Sequence, residues 1–344
     1  MSRRPIGYYV HHHGAGHRMR ASAIADHADG RITLIGTNIA GRSGAHRYVD
    51  IPDDRLACGF DGRDDAADRP AALHYAPLDH DGIRRRVAAI THWIAEQQPA
   101  LMIVDVSCEI AMLARLASVP TVYVRLGGRR DDAPHHDAFR AAIAIVAPFA
   151  EALDDPATPD WVRRKTVYAP GLVDRVRTTS IEPRSVLVVS GRGGSAIDGT
   201  VWARAARATP DRMWRIIGDC PPVVDAPANL EQSGWVDDAA AWIARAAIVI
   251  GSAGDGVVGA VLAARRPFIC LPEDRPFAEQ RSKAERLVAA GAALMCDDAA
   301  AADWPMLLTH AERLDSAAQA ALDDPDGAAR LAAYVMALAD GERG

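Results

Sequence analysis

Aromatic side chains are scarce in this chain: five Phe, seven Trp and seven Tyr among 344 residues, 6% of the whole. A core with so few large rings must be filled by Ala, Val, Ile and Leu, which favours helices packed closely on sheets. No apolar run approaches ~18 residues, which excludes a transmembrane helix. Ser2, Arg3 and Arg4 lead into a short strand-like run and polar histidines rather than an apolar stretch, and this argues against a signal peptide. The cysteines, Cys58, Cys108, Cys220, Cys270 and Cys296, are odd in number and lack metal-ligand spacing. They read as buried thiols of a reducing cytoplasm. An excess of basic charge is also missing: the formal net charge is −6, which gives no reason to expect a nucleic-acid partner. Basic residues cluster only locally, at Arg84, Arg85 and Arg86 and at Arg129 and Arg130. A solvated helix face accounts for the first cluster; an anionic acceptor or peripheral contact with a membrane surface stays open for both.

What is present is the composition of a soluble globular protein, 49% hydrophobic and 24% charged, at a length that allows two domains with their own cores. Strand-like apolar runs alternate with helical patterns throughout, as in α/β proteins whose parallel sheets are covered on both faces. In the first half the runs at 6–10, 32–35, 101–104, 121–124 and 143–146 predict strands. Helices are predicted at 17–28, 83–97 and 109–117, and residues 37–77 read as mostly loop with one strand at 48–51. Turn chemistry and loss of periodicity place a linker after residue 170. The alternation then restarts, with strands at 185–189, 215–217, 247–250 and 268–271 and helices at 199–208, 239–245, 256–264 and 278–290. The expected organisation is two doubly wound Rossmann-like domains, 1–170 and 184–325, facing a central cleft, and ligands bind such sheets at the carboxyl ends of the strands. A final segment, 326–344, carries Leu331, Tyr334, Val335 and Leu338 on one helical stripe.

Three Gly-rich turns punctuate the strand ends. The most informative follows the run at 247–250: Gly251, Ser252, Ala253, Gly254, Asp255 and Gly256 open onto a helix. Small residues there leave backbone N–H groups unblocked, and these orphan donors with the helix dipole favour an anion such as a diphosphate. A second turn, Ser190-Gly191-Arg192-Gly193-Gly194-Ser195, follows the run at 185–189. The third is N-terminal: Ile6 to Val10, then His11, His12, His13, Gly14, Ala15, Gly16 and His17 at a helix start. A dinucleotide fingerprint Gly-x-Gly-x-x-Gly is incomplete here, because its third glycine would fall at Met19. Alternate histidines of a strand end point to opposite faces, so His11, His12 and His13 do not readily share one metal.

The order and spacing of these turns resemble the GT-B glycosyltransferases, most closely the family of the peptidoglycan N-acetylglucosaminyltransferase and the glucuronosyl-type enzymes. That resemblance implies a glycosyl transfer from a nucleotide-diphosphate sugar, UDP foremost, to an unknown acceptor. The implied donor-binding residues are Gly191, Arg192, Gly193, Gly194 and Ser195 in the first C-terminal turn, with Val236 reading the base through its backbone. Ser252, Gly254, Asp255 and Gly256 would lie at the diphosphate, and Glu279 with Gln280 at the sugar. His13, Gly14 and Gly16 form the N-terminal loop, and His17 is the implied functional histidine. It would act either as base toward an acceptor hydroxyl or as hydrogen-bond donor to the diphosphate. In that fold the last helix crosses back onto the N-terminal domain, an inverting reaction is expected, and neither cofactor nor metal is called for.

Two departures matter. The family's ribose-binding Glu falls on Ala260, and Asp255 puts a carboxylate where diphosphate oxygens should sit, unless it serves as the helix N-cap. They leave open a non-catalytic nucleotide-sugar-binding protein; the N-terminal Gly14-Ala15-Gly16-His17 turn, which also resembles that of nucleotide-sugar hydrolases of the same fold, leaves open such a hydrolase. Asp79-His80-Asp81 is read as an acidic helix N-terminus rather than a metal motif.

Overall fold

The computed structural model describes residues 3–12, 16–56, 69–173, 175–176, 180–191, 197–223 and 225–342. The first half builds a seven-stranded sheet from β1 (Ile6–Val10), β2 (Ile32–Gly36), β3 (Arg47–Asp50), β4 (Leu101–Asp105), β5 (Thr121–Val124), β6 (Ala144–Ala147) and β7 (Thr166–Tyr168). Its spatial order is β3-β2-β1-β4-β5-β6-β7. All neighbours run parallel, with Ile6 opposite both Ile32 and Leu101. Central strands of such a sheet are buried on both faces, which is why β1, β2 and β4 read as unbroken apolar runs and are buried at every residue. The covering helices are α1 (Gly16–Ala25), α2 (Asp81–Gln97), α3 (Cys108–Leu116), α4 (Ala133–Ala141) and α5 (Asp160–Lys165). The last two are absent from the sequence expectation; α5 is a short polar turn, and α4, with Pro134 in its first turn, carries Phe139 as its one large apolar side chain.

The second half repeats the plan with β8 (Ser185–Ser190), β9 (Met213–Gly218), β10 (Leu230–Gly234), β11 (Ile248–Gly251), β12 (Phe268–Cys270) and β13 (Leu294–Met295), in the order β10-β9-β8-β11-β12-β13. Its helices are α6 (Gly199–Ala208), α7 (Ala239–Arg245), α8 (Asp255–Ala264), α9 (Glu279–Ala289), α10 (Trp304–Ala311) and α11 (Ser316–Ala320). Three of the few aromatic residues, Trp202, Trp214 and Trp304, pack together in its core with ring centroids 5.5–6.2 Å apart. The terminal helix α12 (Gly327–Ala339) leaves this half. Its Leu331, Ala332 and Val335 pack into the first core beside Ile24, Ala25 and Ala28 of the α1 region, and Asp340 pairs with Arg31 at 2.7 Å.

The topology fixes where ligands go. In the first sheet the chain reverses direction between β1 and β4; in the second, between β8 and β11. Crevices at such switch points, at the carboxyl ends of the strands, are where doubly wound proteins bind. Among the described residues no helix is long and apolar enough to cross a membrane.

Local expectations are corrected in two places. The N-cap of α2 is His80, whose ring accepts from the Ile83 N–H at 3.3 Å, while Asp79 and Asp81 pair with Arg84 and Arg85. Arg86 is not on a solvated face: it is buried and paired with Asp54.

Candidate functional site

His17 sits in the first turn of α1, at the switch point of the first sheet, because Gly16 starts the helix directly after the β1 loop. Its Nδ1 lies 3.1 Å from Oδ1 of Asp105, the fully buried last residue of β4 on the other side of the switch point. Asp105 also receives Arg20, one helical turn beyond His17: Nε donates to Oδ2 at 3.3 Å and Nη2 to the two oxygens at 3.2 and 3.1 Å. Burial by itself would raise the Asp105 carboxyl, but Arg20 and then His17 outweigh it, and the group titrates below the ordinary carboxylate range. Asp105 is therefore an anion, and an ionised carboxylate is a strong acceptor for an imidazole N–H. In the tautomer whose Nδ1–H donates to Asp105, Nε2 of His17 is left as a proton acceptor.

Arg20 reaches across to the second half. Its Nη1 donates to Oδ2 of Asp255 at 3.2 Å, and Lys283 of α9 pairs with the other oxygen. Asp255 thus does not cap α8. The N-cap is Gly254, without a side-chain hydrogen bond, whereas α3, α4, α6 and α7 are capped by Ser107, Asp132, Asp198 and Asp238. Burial opposes ionisation of Asp255, yet Lys283 and Arg20 hold its carboxyl down to about 2. The cleft beside these groups is lined by Gly16, Met19, Arg20, Asp255, Gly256 and Lys283. A β-carbon on Gly16, Gly191 or Gly256 would meet nothing within 4 Å, so all three border open space.

A second set of contacts closes the neighbouring edge of the cleft. The loop after β5 meets the turn before α9, where Arg129 N–H donates to the Phe277 carbonyl at 2.8 Å. Arg130 lies over the Phe277 ring at 4.6 Å and pairs with Glu279 at 2.9 Å. Phe277 and Ala278 both adopt left-handed backbone angles, φ 64° and 52°. This conformation costs ~1–2 kcal/mol per non-glycine residue and persists because both halves grip the turn. Only glycine fits at Gly128, with φ +84° and the Phe277 carbonyl against its α-carbon. Ser282 Oγ adds a buried hydrogen bond of 2.8 Å to Asp155.

The structure therefore brings Gly16, His17, Asp255 and Gly256 together, and places other expected residues differently. Gln280 is 5% exposed; its Oε1 accepts from the N–H groups of Ala253 and Glu273 at 3.1 and 2.9 Å, and its Nε2 donates to Glu273. Gln280 fastens two loops, and Glu279 faces Arg130, so in this arrangement neither offers an unengaged group to a sugar. Ser252 and Gly254 belong to the turn that Gln280 supports. Val236 is half-buried at the end of the β10 loop and packs on the second core, beside a half-exposed Trp235. His13, Gly14, Arg192, Gly193, Gly194 and Ser195 lie outside the described residues.

Asp105 and Lys283 are absent from the sequence reading. The signal for Asp105 is a carboxylate closing an otherwise apolar run beside the first strand; reading the strand as 101–104 leaves it just outside. Among the described residues, two groups of metal-type ligands, His74 with Asp132 and His135, and His12 with Asp53 and Asp54, have their acids engaged. Asp132 caps α4 and meets His135, Asp54 pairs with Arg86, and Asp53 with Arg55.

Residues 223–323 match the glycosyltransferase family 28 C-terminal domain. No significant match to a curated protein sequence was found. Among solved structures, the spinosyn forosaminyltransferase SpnP covers 98% of this chain and 100% of its own, at 14% identity and a TM-score of 0.71. The spinosyn rhamnosyltransferase SpnG complexed with thymidine diphosphate covers 97% and 99%, at 16% identity and 0.66. MurG of Acinetobacter baumannii covers 97% and 99%, at 15% identity and 0.65. These likenesses show the GT-B fold over the whole chain. With the matched domain they support a glycosyltransferase, in line with the resemblance read from the sequence.

Proposed function

We propose that this chain transfers a sugar from a nucleotide-diphosphate donor, UDP foremost, to an acceptor hydroxyl with inversion at the anomeric carbon. The observation that carries the reading is the His17–Asp105 pair, set at one switch point and facing the uncapped start of α8 at the other. The donor would occupy the half spanning 184–325, with its diphosphate at the α8 N-terminus and the Gly191 turn and its base beside Trp235 and Val236. The acceptor would approach from the half spanning 1–170. Nε2 of His17 takes the proton as the acceptor oxygen attacks the anomeric carbon. The bond to the diphosphate oxygen breaks on the opposite face, and its electron pair leaves with the nucleotide diphosphate. The first-turn N–H groups of α8 and the helix dipole stabilise the charge that develops there, so the step calls for no metal. Glu279 and Gln280 remain the residues proposed for the sugar: Glu279 by exchanging Arg130 for a hydroxyl, Gln280 through the loops it holds.

One contact favours a second role for His17. Nη2 of Arg20 lies 3.0 Å from the same Nδ1, and in the tautomer accepting from it, Nε2–H would donate to the diphosphate instead. A single variant separates the two. As a general base, His17→Ala lowers kcat by about 10²–10⁴-fold with little change in nucleotide affinity. A loss of UDP affinity in step with the rate assigns the phosphate role, and a fully active variant overturns both. The donor class is tested by calorimetric titration of UDP, dTDP and GDP, and inversion by the anomeric configuration of the product. Sugar release without an acceptor would mark the hydrolase, and binding without turnover the non-catalytic protein.

A further inference from the structure

Asp255 is the residue that the donor reading leaves without a role, since a carboxylate at the first turn of α8 repels the diphosphate proposed to bind there. Its surroundings supply one. Two cations from different halves of the chain, Arg20 and Lys283, converge on this single carboxylate, and their side chains are 4% and 3% exposed. Within this cluster Asp105 and Asp255 balance Arg20 and Lys283, and Asp255 is the one carboxylate of the four that both cations meet. Without an anion between them, two buried cations would face each other across the cleft, which is strongly unfavourable in a poorly hydrated site.

We propose that Asp255 holds the place of the donor diphosphate, and that Arg20 and Lys283 grip the diphosphate once it displaces the carboxylate. This inference rests on the donor reading above. The geometry makes the exchange small. Only Nη1 of Arg20 is on Asp255, while Nε and Nη2 stay on Asp105, so the guanidinium keeps its seat as it changes partner. Open space adjoins all three groups, bordered by Gly16 and Gly256, neither of which has a neighbour within 4 Å of a β-carbon position. Because Arg20 belongs to the first half and Lys283 to the second, a bridging diphosphate replaces the ion pairs that Asp255 makes across the cleft. Closure and donor binding then use the same cations. Asp255 thereby sets the affinity: it keeps the empty cleft together and weakens the donor by competing for its ligands.

The test is calorimetric titration of the full-length chain with inorganic pyrophosphate and, separately, with UDP. Wild type is compared with Asp255→Asn, Lys283→Gln and the double variant, with folding checked by circular dichroism. Removing the competing charge should tighten pyrophosphate and UDP by about tenfold in Asp255→Asn. Lys283→Gln should weaken both by a similar factor, and the double variant should lose the gain. Binding by a folded Asp255→Asn that is unchanged or weaker overturns the proposal. If that variant does not fold, unaltered pyrophosphate affinity in Lys283→Gln does so. UDP binding to wild type without these changes leaves the donor reading standing and removes the placeholder. Pyrophosphate following the pattern while UDP fails to bind does the reverse.

Discussion

The two halves of this protein are the same fold built twice, and they equip the cleft in opposite ways. The first half contributes side chains: His17, Arg20 and Asp105 meet at its switch point, with the carboxylate fully buried. The second contributes bare backbone: Gly191, Gly254 and Gly256 border its switch point, and α8 starts without a side-chain cap. A reacting hydroxyl needs a titratable group at a defined atom, whereas an anion needs several aligned N–H donors and room. Under the proposed reaction, a half that does proton chemistry has to be rigid and charged, and a half that holds an anion has to be small and unobstructed. Asp255, with its partners Arg20 and Lys283, is where the two designs meet.

That comparison can be broken most severely at Asp105. Asp105→Asn removes the anion that Arg20 and His17 share, leaving a buried cation partly uncompensated. A stability loss of about 3–5 kcal/mol is expected from urea denaturation, together with loss of the His17 contribution to turnover. An unchanged unfolding midpoint would mean that the network is not structural.

The edge contacts predict a pH effect. Burial, and then the charge of Arg130, push the His135 imidazole down to about 4 from 6.5. Between those values the unfolded chain binds more protons than the folded one. Stability is thus complete above pH ~6.5 and is lost as pH falls toward ~4, by about 3 kcal/mol in all. Unfolding midpoints measured from pH 7 to 4.5 should fall in wild type and fall less in His135→Gln; parallel slopes would assign the loss elsewhere.

Gln280→Ala should cost about 2 kcal/mol of stability, since the buried N–H of Ala253 and the partly buried N–H of Glu273 lose their acceptor. If it instead selectively weakens the sugar nucleotide relative to UDP, with no change in unfolding midpoint, Gln280 is a sugar ligand and not a fastener. The smallest effect on stability is expected at Gly256. Gly256→Ala adds a methyl into open space within a helix and should leave stability unchanged or raised by up to ~1 kcal/mol. Its nucleotide affinity should nonetheless fall; an unaltered affinity would move the anion away from α8. The variant thus sharpens the contrast: the second half is disabled by bulk without unfolding, the first by loss of charge with unfolding.

Apolar runs separated by turn residues, and Gly-rich turns at strand ends, are local properties of the chain. They determined by themselves that two doubly wound domains form and where their open crevices lie. The same local logic explains several of the misses: α5 and α11 are short and β13 has two residues, too few for a period to register, while α4 carries Phe139 as its one large apolar side chain. Pairing is not local. Asp105 meets His17 across 88 positions because β1 and β4 are neighbours in the sheet, and Asp255 meets Arg20 across 235 because the domains close. In the sequence Asp255 has only two local readings, helix cap or obstacle to a diphosphate, and Glu279 with Gln280 are read as sugar ligands. Only the tertiary structure decided that Asp255 is neutralised by two cations, that Gln280 is buried between two loops and that Glu279 faces Arg130. The physical reason is that a charge or an amide takes its meaning from what lies within about 3 Å, and for these residues that neighbour comes from a distant part of the chain.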